Sequence, residues 1–123
     1  METAYPEAVA TLVGLADGTT SMYFSNGGGV IGAGAHPQVA AATERWLEVG
    51  AASLGELAPA EGEIRLPADA RTQFVAVTPA GRLWAVAVED ELGAGAHELS
   101  QLFYAGHEVI TSIRLVEEAE QAG

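Results

Sequence analysis

Thr72-Gln73-Phe74-Val75-Ala76-Val77-Thr78-Pro79-Ala80-Gly81-Arg82-Leu83-Trp84-Ala85-Val86-Ala87-Val88 decides how the rest of the chain is read. Residues 72–78 are apolar and rich in β-branched side chains, which suits a strand. Pro79-Ala80-Gly81 supplies turn chemistry. Residues 82–88 then read as the partner strand. Leu83, Ala85 and Ala87 share one face, and Trp84, Val86 and Val88 share the other. Both faces are apolar, so this strand is expected to be central or to meet another molecule. Glu89-Asp90-Glu91 is read as its end.

Downstream, Gly93-Ala94-Gly95-Ala96-His97 leads into a predicted helix over 98–118. Leu99, Leu102, Phe103, Gly106, Ile110 and Ile113 form its buried stripe. Glycine in a helix costs about 1 kcal/mol against alanine. Gly106 is therefore read as a point of close packing. Residues 117–123 read as a frayed tail. Upstream, residues 53–71 lose all periodicity and carry Pro59, Gly62, Pro67 and Asp69. A structureless connector this long is unusual, so a short edge strand is expected near 63–66.

The first half repeats the plan. Residues 9–15 are strand-like, Asp17-Gly18 is a hairpin turn pair, and residues 19–25 form the second strand. Met22 and Phe24 would face one side. Asn26-Gly27-Gly28-Gly29 breaks this strand, and Val30-Ile31 would extend it past a bulge. After Gly32-Ala33-Gly34-Ala35-His36, Pro37 suits the first helical position. The helix is expected to reach residue 49, with Val39, Thr43, Trp46, Leu47 and Gly50 on one face. The same pentapeptide thus precedes both helices, 61 residues apart (93 − 32). The predicted fold class is α+β: two tandem β-β-α units forming one antiparallel sheet packed against two helices. A single domain spans 1–123, with units 9–52 and 72–118 joined by the connector 53–71.

The totals agree with one small domain. Cysteine is absent, which removes disulfides and zinc thiolates. A hydrophobic content of 49% argues against disorder. Five basic residues against 17 acidic ones give a formal charge of −12. That field repels nucleic acid and anionic membranes and attracts a basic protein surface. Neither a signal peptide nor an apolar run of the roughly 18 residues a membrane helix needs is found, so a cytoplasmic location is expected.

The element order resembles the roadblock/LC7 group of profilin-like domains. The matching elements are 9–25 with Asp17-Gly18, 37–49, 72–88 and 98–114. That family usually begins with a helix, for which residues 1–8 are too short. The resemblance implies a non-catalytic homodimer that scaffolds or regulates a small GTPase or a larger complex. It carries over no contact residue.

Candidate chemistry is sparse. Gly27-Gly28-Gly29-Val30-Ile31-Gly32 spells a dinucleotide fingerprint, but the helix starts several residues later and no βαβ unit surrounds it. It is read as a bulge and bend, and no cofactor is expected. His36 and His97 end matching loops, and with Glu98 they would form a ligand or metal site if the helix starts converge. The competing reading makes each histidine a helix cap. The helix starts lack nearby Lys or Arg, which argues against phosphate binding. Trp84, with a mixed Tyr104, His107 and Thr111 stripe, is the candidate interface. No nucleophile elbow or thiol exists, so the chain is read as leaning away from enzymes. The expectations are a homodimeric adaptor first, an acidic immunity-type protein that neutralises a basic partner second, and a histidine-based ligand or metal-binding enzyme or sensor third.

Overall fold

The computed structural model describes residues 1–122. Seven strands are β1 (Glu2–Ala4), β2 (Val9–Gly14), β3 (Thr20–Phe24), β4 (Gly29–Val30), β5 (Ala58–Pro59), β6 (Arg71–Thr78) and β7 (Gly81–Val88). Three helices are α1 (Pro37–Ala52), α2 (Glu89–Gly93) and α3 (Ser100–Ala122). The strands form one antiparallel sheet in the order β4-β3-β2-β1-β6-β7-β5. The fold is α+β, a sheet packed against helices.

Both hairpins form where their turns are written. At Asp17-Gly18 the Thr19 N–H donates to Asp17 Oδ1 at 2.9 Å, and Gly18 takes φ 92°. That backbone bond holds the Asp17 carboxyl below its ordinary value. In the other hairpin Thr78 pairs with Gly81. Alternation then sorts the side chains. Leu12, Met22, Phe74 and Ala87 enter the core with Val39 and Trp46 of α1 and Val109 and Ile113 of α3. Trp84 and Val86 lie on the opposite face, each 38% exposed.

Close approach explains Gly106. A Cβ there would lie 2.7 Å from Met1 Cε and 3.2 Å from Trp46 Nε1. The helices run antiparallel: Arg45 sits 3.6 Å from Glu108, and His36 at the start of α1 sits 3.3 Å from Glu120 near the end of α3.

Several local expectations change. Residues 1–8 hold β1, which lies at the centre of the sheet between β2 and β6. Glu89-Asp90-Glu91 begins α2 instead of merely ending β7, because Leu92 one turn on is fully buried and the acidic residues suit a helix N-terminus. The connector's strand is β5, at Ala58–Pro59, not near 63–66. Val30 does not prolong β3 but folds back beside Met22 as β4. Helix α1 extends to Ala52, and α3 runs from Ser100 to Ala122 through most of the expected tail, with Gly123 outside the described residues.

The two Gly-Ala-Gly-Ala-His stretches share position but not conformation. In the first, Gly32 is left-handed (φ 72°) and a 3-10 turn follows over Ala33–Ala35. In the second, Gly93 closes α2 and Gly95 is the left-handed residue (φ 74°). The glycine that needs φ freedom is the first in one copy and the second in the other.

Two hydroxyl pairs are buried in the sheet and core. Thr3 Oγ1 lies 2.8 Å from Thr72 Oγ1, and Thr20 Oγ1 lies 2.7 Å from Thr43 Oγ1. Removing one partner strands the other in a dry site, whereas removing both leaves two apolar groups of similar shape. Thr3→Val is expected to cost about 1–3 kcal/mol. The double variant Thr3→Val/Thr72→Val should recover most of that loss. Urea denaturation of the singles and the double provides the cycle, and additive costs would show that the hydroxyls are not coupled.

Candidate functional site

The structure separates the two loop histidines. His36 caps the start of α1 without a side-chain cap bond and turns Nε2 toward Glu120. His97 sits at the other end of the antiparallel helix pair, where its Nδ1 accepts from the Leu99 N–H at 3.0 Å. At 1.5 Å per helical residue the two imidazoles lie about 30 Å apart. Glu98 faces Glu56, whose carboxyl it holds above the ordinary value through a hydrogen bond and like charge. Hence His36, His97 and Glu98 form no common pocket. Among the described residues no group of three or more His, Asp or Glu side chains is arranged to hold a metal.

The expected interface residues divide between the two sides of the molecule. Tyr104 donates its hydroxyl to Gly93 O at 2.9 Å and so ties α3 to the end of α2. His107 packs on Phe103 with ring centroids 4.3 Å apart, and its Nε2 is buried without a partner. Burial pushes its pKa down. Thr111 is exposed on the same stripe. Trp84 belongs to the other face of the sheet, away from the helices.

That open face carries two features. A strap over residues 60–69 crosses it beside β7 and, with Gln73, Trp84 and Val86, encloses about 410 Å³. Gln73, 2% exposed, fixes the strap by donating Nε2 to Arg65 O at 3.0 Å. The Arg82 guanidinium donates to Gly62 O. Beyond the strap, Val13, Tyr23 and Val77 are exposed, at 37%, 44% and 80%.

The second feature is a slot through the sheet. β1 is short, and Met1 pairs with Leu12 through Met1 N to Leu12 O at 2.9 Å and Leu12 N to Met1 O at 2.8 Å. Past that point, among the described residues, no strand separates residues 13–16 from residues 75–78. The gap is one strand wide, so its walls stand roughly 9.6 Å apart, twice the interstrand spacing. It encloses about 530 Å³ and is floored by Trp46, Leu47, Leu54, Leu57 and Leu102. Its closed end is the Met1 ammonium, whose pKa burial lowers from 8.0 to about 6.

The slot escapes a reading of the sequence because it depends on β1 lying between strands that are far apart along the chain. The one available signal was the apolar outer face of Val75 and Val77. Among the described residues no helix is long and apolar enough to cross a membrane. No protein-family model, no curated protein and no solved structure matches the chain.

Proposed function

We propose that the protein is a non-enzymatic interaction module that self-associates through the open face of its sheet. The observation behind this reading is the set of exposed apolar side chains on that face: Val13, Tyr23, Val77, Trp84 and Val86. Single exposed apolar residues are ordinary, but several on one sheet face form the kind of patch that partners cover. The resemblance to roadblock-type adaptors, read from element order, points the same way. The two loop histidines lie at opposite ends of the helix pair, which supports a binding role over a histidine-pair chemistry.

Light scattering at micromolar concentration is the test. A dimer is expected, and Tyr23→Glu with Trp84→Glu is expected to weaken it at least about tenfold, since each interface would bring like charges together. A strictly monomeric wild type would sink the reading. A second function rests on the formal charge of −12. It is the capture of a basic protein, as an immunity-type partner would do, and that complex would weaken steeply with salt while the apolar dimer would not.

A further inference from the structure

We propose that the cavity between the strap and the sheet binds an uncharged, planar, bicyclic heterocycle with an N–H beside a carbonyl oxygen on one edge. The ring lies on Trp84 and donates that N–H to Gln73 Oε1. The site goes beyond self-association and needs only one copy of the chain.

Gln73 carries the argument. Its side chain is all but fully buried, at 2% exposure. Nε2 has two hydrogens and both are used, one on Glu2 Oε1 and one on Arg65 O, each at 3.0 Å. Two oxygen acceptors on that side fix which end of the amide is nitrogen. Oε1 receives no hydrogen bond among the described residues. Nor is it among the fully enclosed orphan atoms, which are Trp46 Nε1 and His107 Nε2. It therefore meets open space, and the space that Gln73 lines is this cavity. A buried acceptor without a donor is costly, and a ligand N–H removes that cost.

The cavity is held open by polar ties. The Ala60 N–H donates to Arg82 O at 2.9 Å, the Arg82 guanidinium donates to Gly62 O, and Gln73 donates to Arg65 O. The strap is thus fixed at three points along its length. The enclosed volume of about 410 Å³ is many times a water molecule's share of roughly 30 Å³. It falls within the roughly 300–1,000 Å³ of small-molecule sites, and a single ring would leave most of it unfilled.

Register places the rest of the ligand. Gln73 stands opposite Val86 and Val75 opposite Trp84. Arg71 and Gln73 share the open face with Trp84 and Val86, because alternate residues of a strand point the same way. Gln73 therefore lies between the indole on one side and the Arg71 guanidinium on the other. A planar ring stacks on the indole. Arg71 is one same-face step from Gln73, about 6.6 Å between Cα atoms, so its long side chain reaches a carbonyl beside the N–H. Charge selects an uncharged occupant. The lining sets Arg65 and Arg71 against Glu61 and Glu63. Glu2, beside Gln73, already accepts from Gln73 and from Thr11. Arg45 and Arg114 sit in ion pairs, whereas among the described residues Arg65 and Arg71 do not. Their donors are left for a carbonyl oxygen.

The test titrates the intact protein with theophylline, which has one N–H adjacent to a carbonyl, and with caffeine, the same bicycle with that nitrogen methylated. Calorimetry reads affinity and NMR reads position. The expected result is that theophylline binds and shifts the Gln73 side-chain amide and the Trp84 indole N–H. Caffeine should bind about tenfold or more weakly. Arg71→Met touches none of the strap's ties and should weaken theophylline about fivefold. If that variant does not fold, the comparison of the two compounds on the wild type still decides. Equal affinity for both compounds, no binding of either at millimolar concentration, shifts away from Gln73 and Trp84, or unchanged affinity in folded Arg71→Met would overturn the proposal. Light scattering on the same samples keeps the two readings apart. A monomer that prefers theophylline to caffeine supports this site and ends the open-face dimer, and a dimer indifferent to both compounds overturns the site alone.

Discussion

Gly34→Ala is expected to lower stability by about 3 kcal/mol, the upper end of what an added methyl costs in a tight site. The reason is not φ freedom. A Cβ at Gly34 would fall on the carbonyl oxygen of Gly18, with the Gly18 carbonyl carbon at 3.0 Å and Thr20 N at 3.2 Å. Those are backbone atoms of the β2–β3 turn, and the turn is doubly held. Asp17 Oδ1 accepts from the Thr19 N–H, and Thr20 Oγ1 donates to Gly18 O at 3.0 Å. Neither side can yield without breaking the turn or lifting the loop before α1. For a domain of this size the midpoint of thermal unfolding should fall by about 12 °C, at roughly 4 °C per kcal/mol. Gly55→Ala is the control, because nothing lies within 4 Å of its added Cβ. Thermal unfolding of both variants checks this, and a Gly34→Ala protein within 1 kcal/mol of wild type would mean that the loop shifts freely.

Stability should rise between pH 6 and pH 8, by about 2 to 3 kcal/mol. The Met1 amine has an ordinary pKa of 8.0 and is lowered to about 6 by burial in the fold. Within that window the unfolded chain holds the proton and the folded chain releases it. Unfolding then takes up protons, so raising pH favours the folded state. Each pH unit across the window contributes about 1.4 kcal/mol. His107 acts in the same direction at lower pH, since burial depresses it too. Urea unfolding from pH 5.5 to 8.5 measures the slope. A flat profile would show that the amine is as well solvated in the fold as outside it. Acetylating Met1 should flatten the part of the profile between pH 6 and pH 8.

Local chemistry made most of the fold readable. Asp17-Gly18, Pro79-Ala80-Gly81 and Pro37 act within a few residues of themselves, and each element they bound is present. The stripe on α3 and the alternation on β7 are likewise periodic, and the two faces of β7 fall as the alternation implies. What stayed hidden depends on pairing at a distance. Glu2, Thr3 and Ala4 have no strand signature of their own. They become a central strand because Thr11 and Gln73, far apart in sequence, both lie beside Glu2. Helix α2 was masked by its acidic start, which reads as a solvated strand end until Leu92 is seen to be buried. The histidine pairing failed for a similar reason. Identical letters before two helices say nothing about whether those helices run parallel or antiparallel, and antiparallel packing sends His36 and His97 to opposite ends. The Gly-Ala-Gly-Ala-His copies also show that spelling does not fix which glycine must be left-handed.

The central position of β1 also bears on how the chain is assembled during synthesis. Glu2 pairs with Gln73, across most of the polypeptide, so a ribosome releases one partner long before the other. The β1–β2–β3 meander can close early, yet its β1 edge stays unmatched until residues 71–78 emerge. Contacts of such wide separation slow folding and prolong the life of half-made sheets. During that interval the exposed β1 rim is where nascent chains on one polysome would stick to each other, and a chaperone would find its target there.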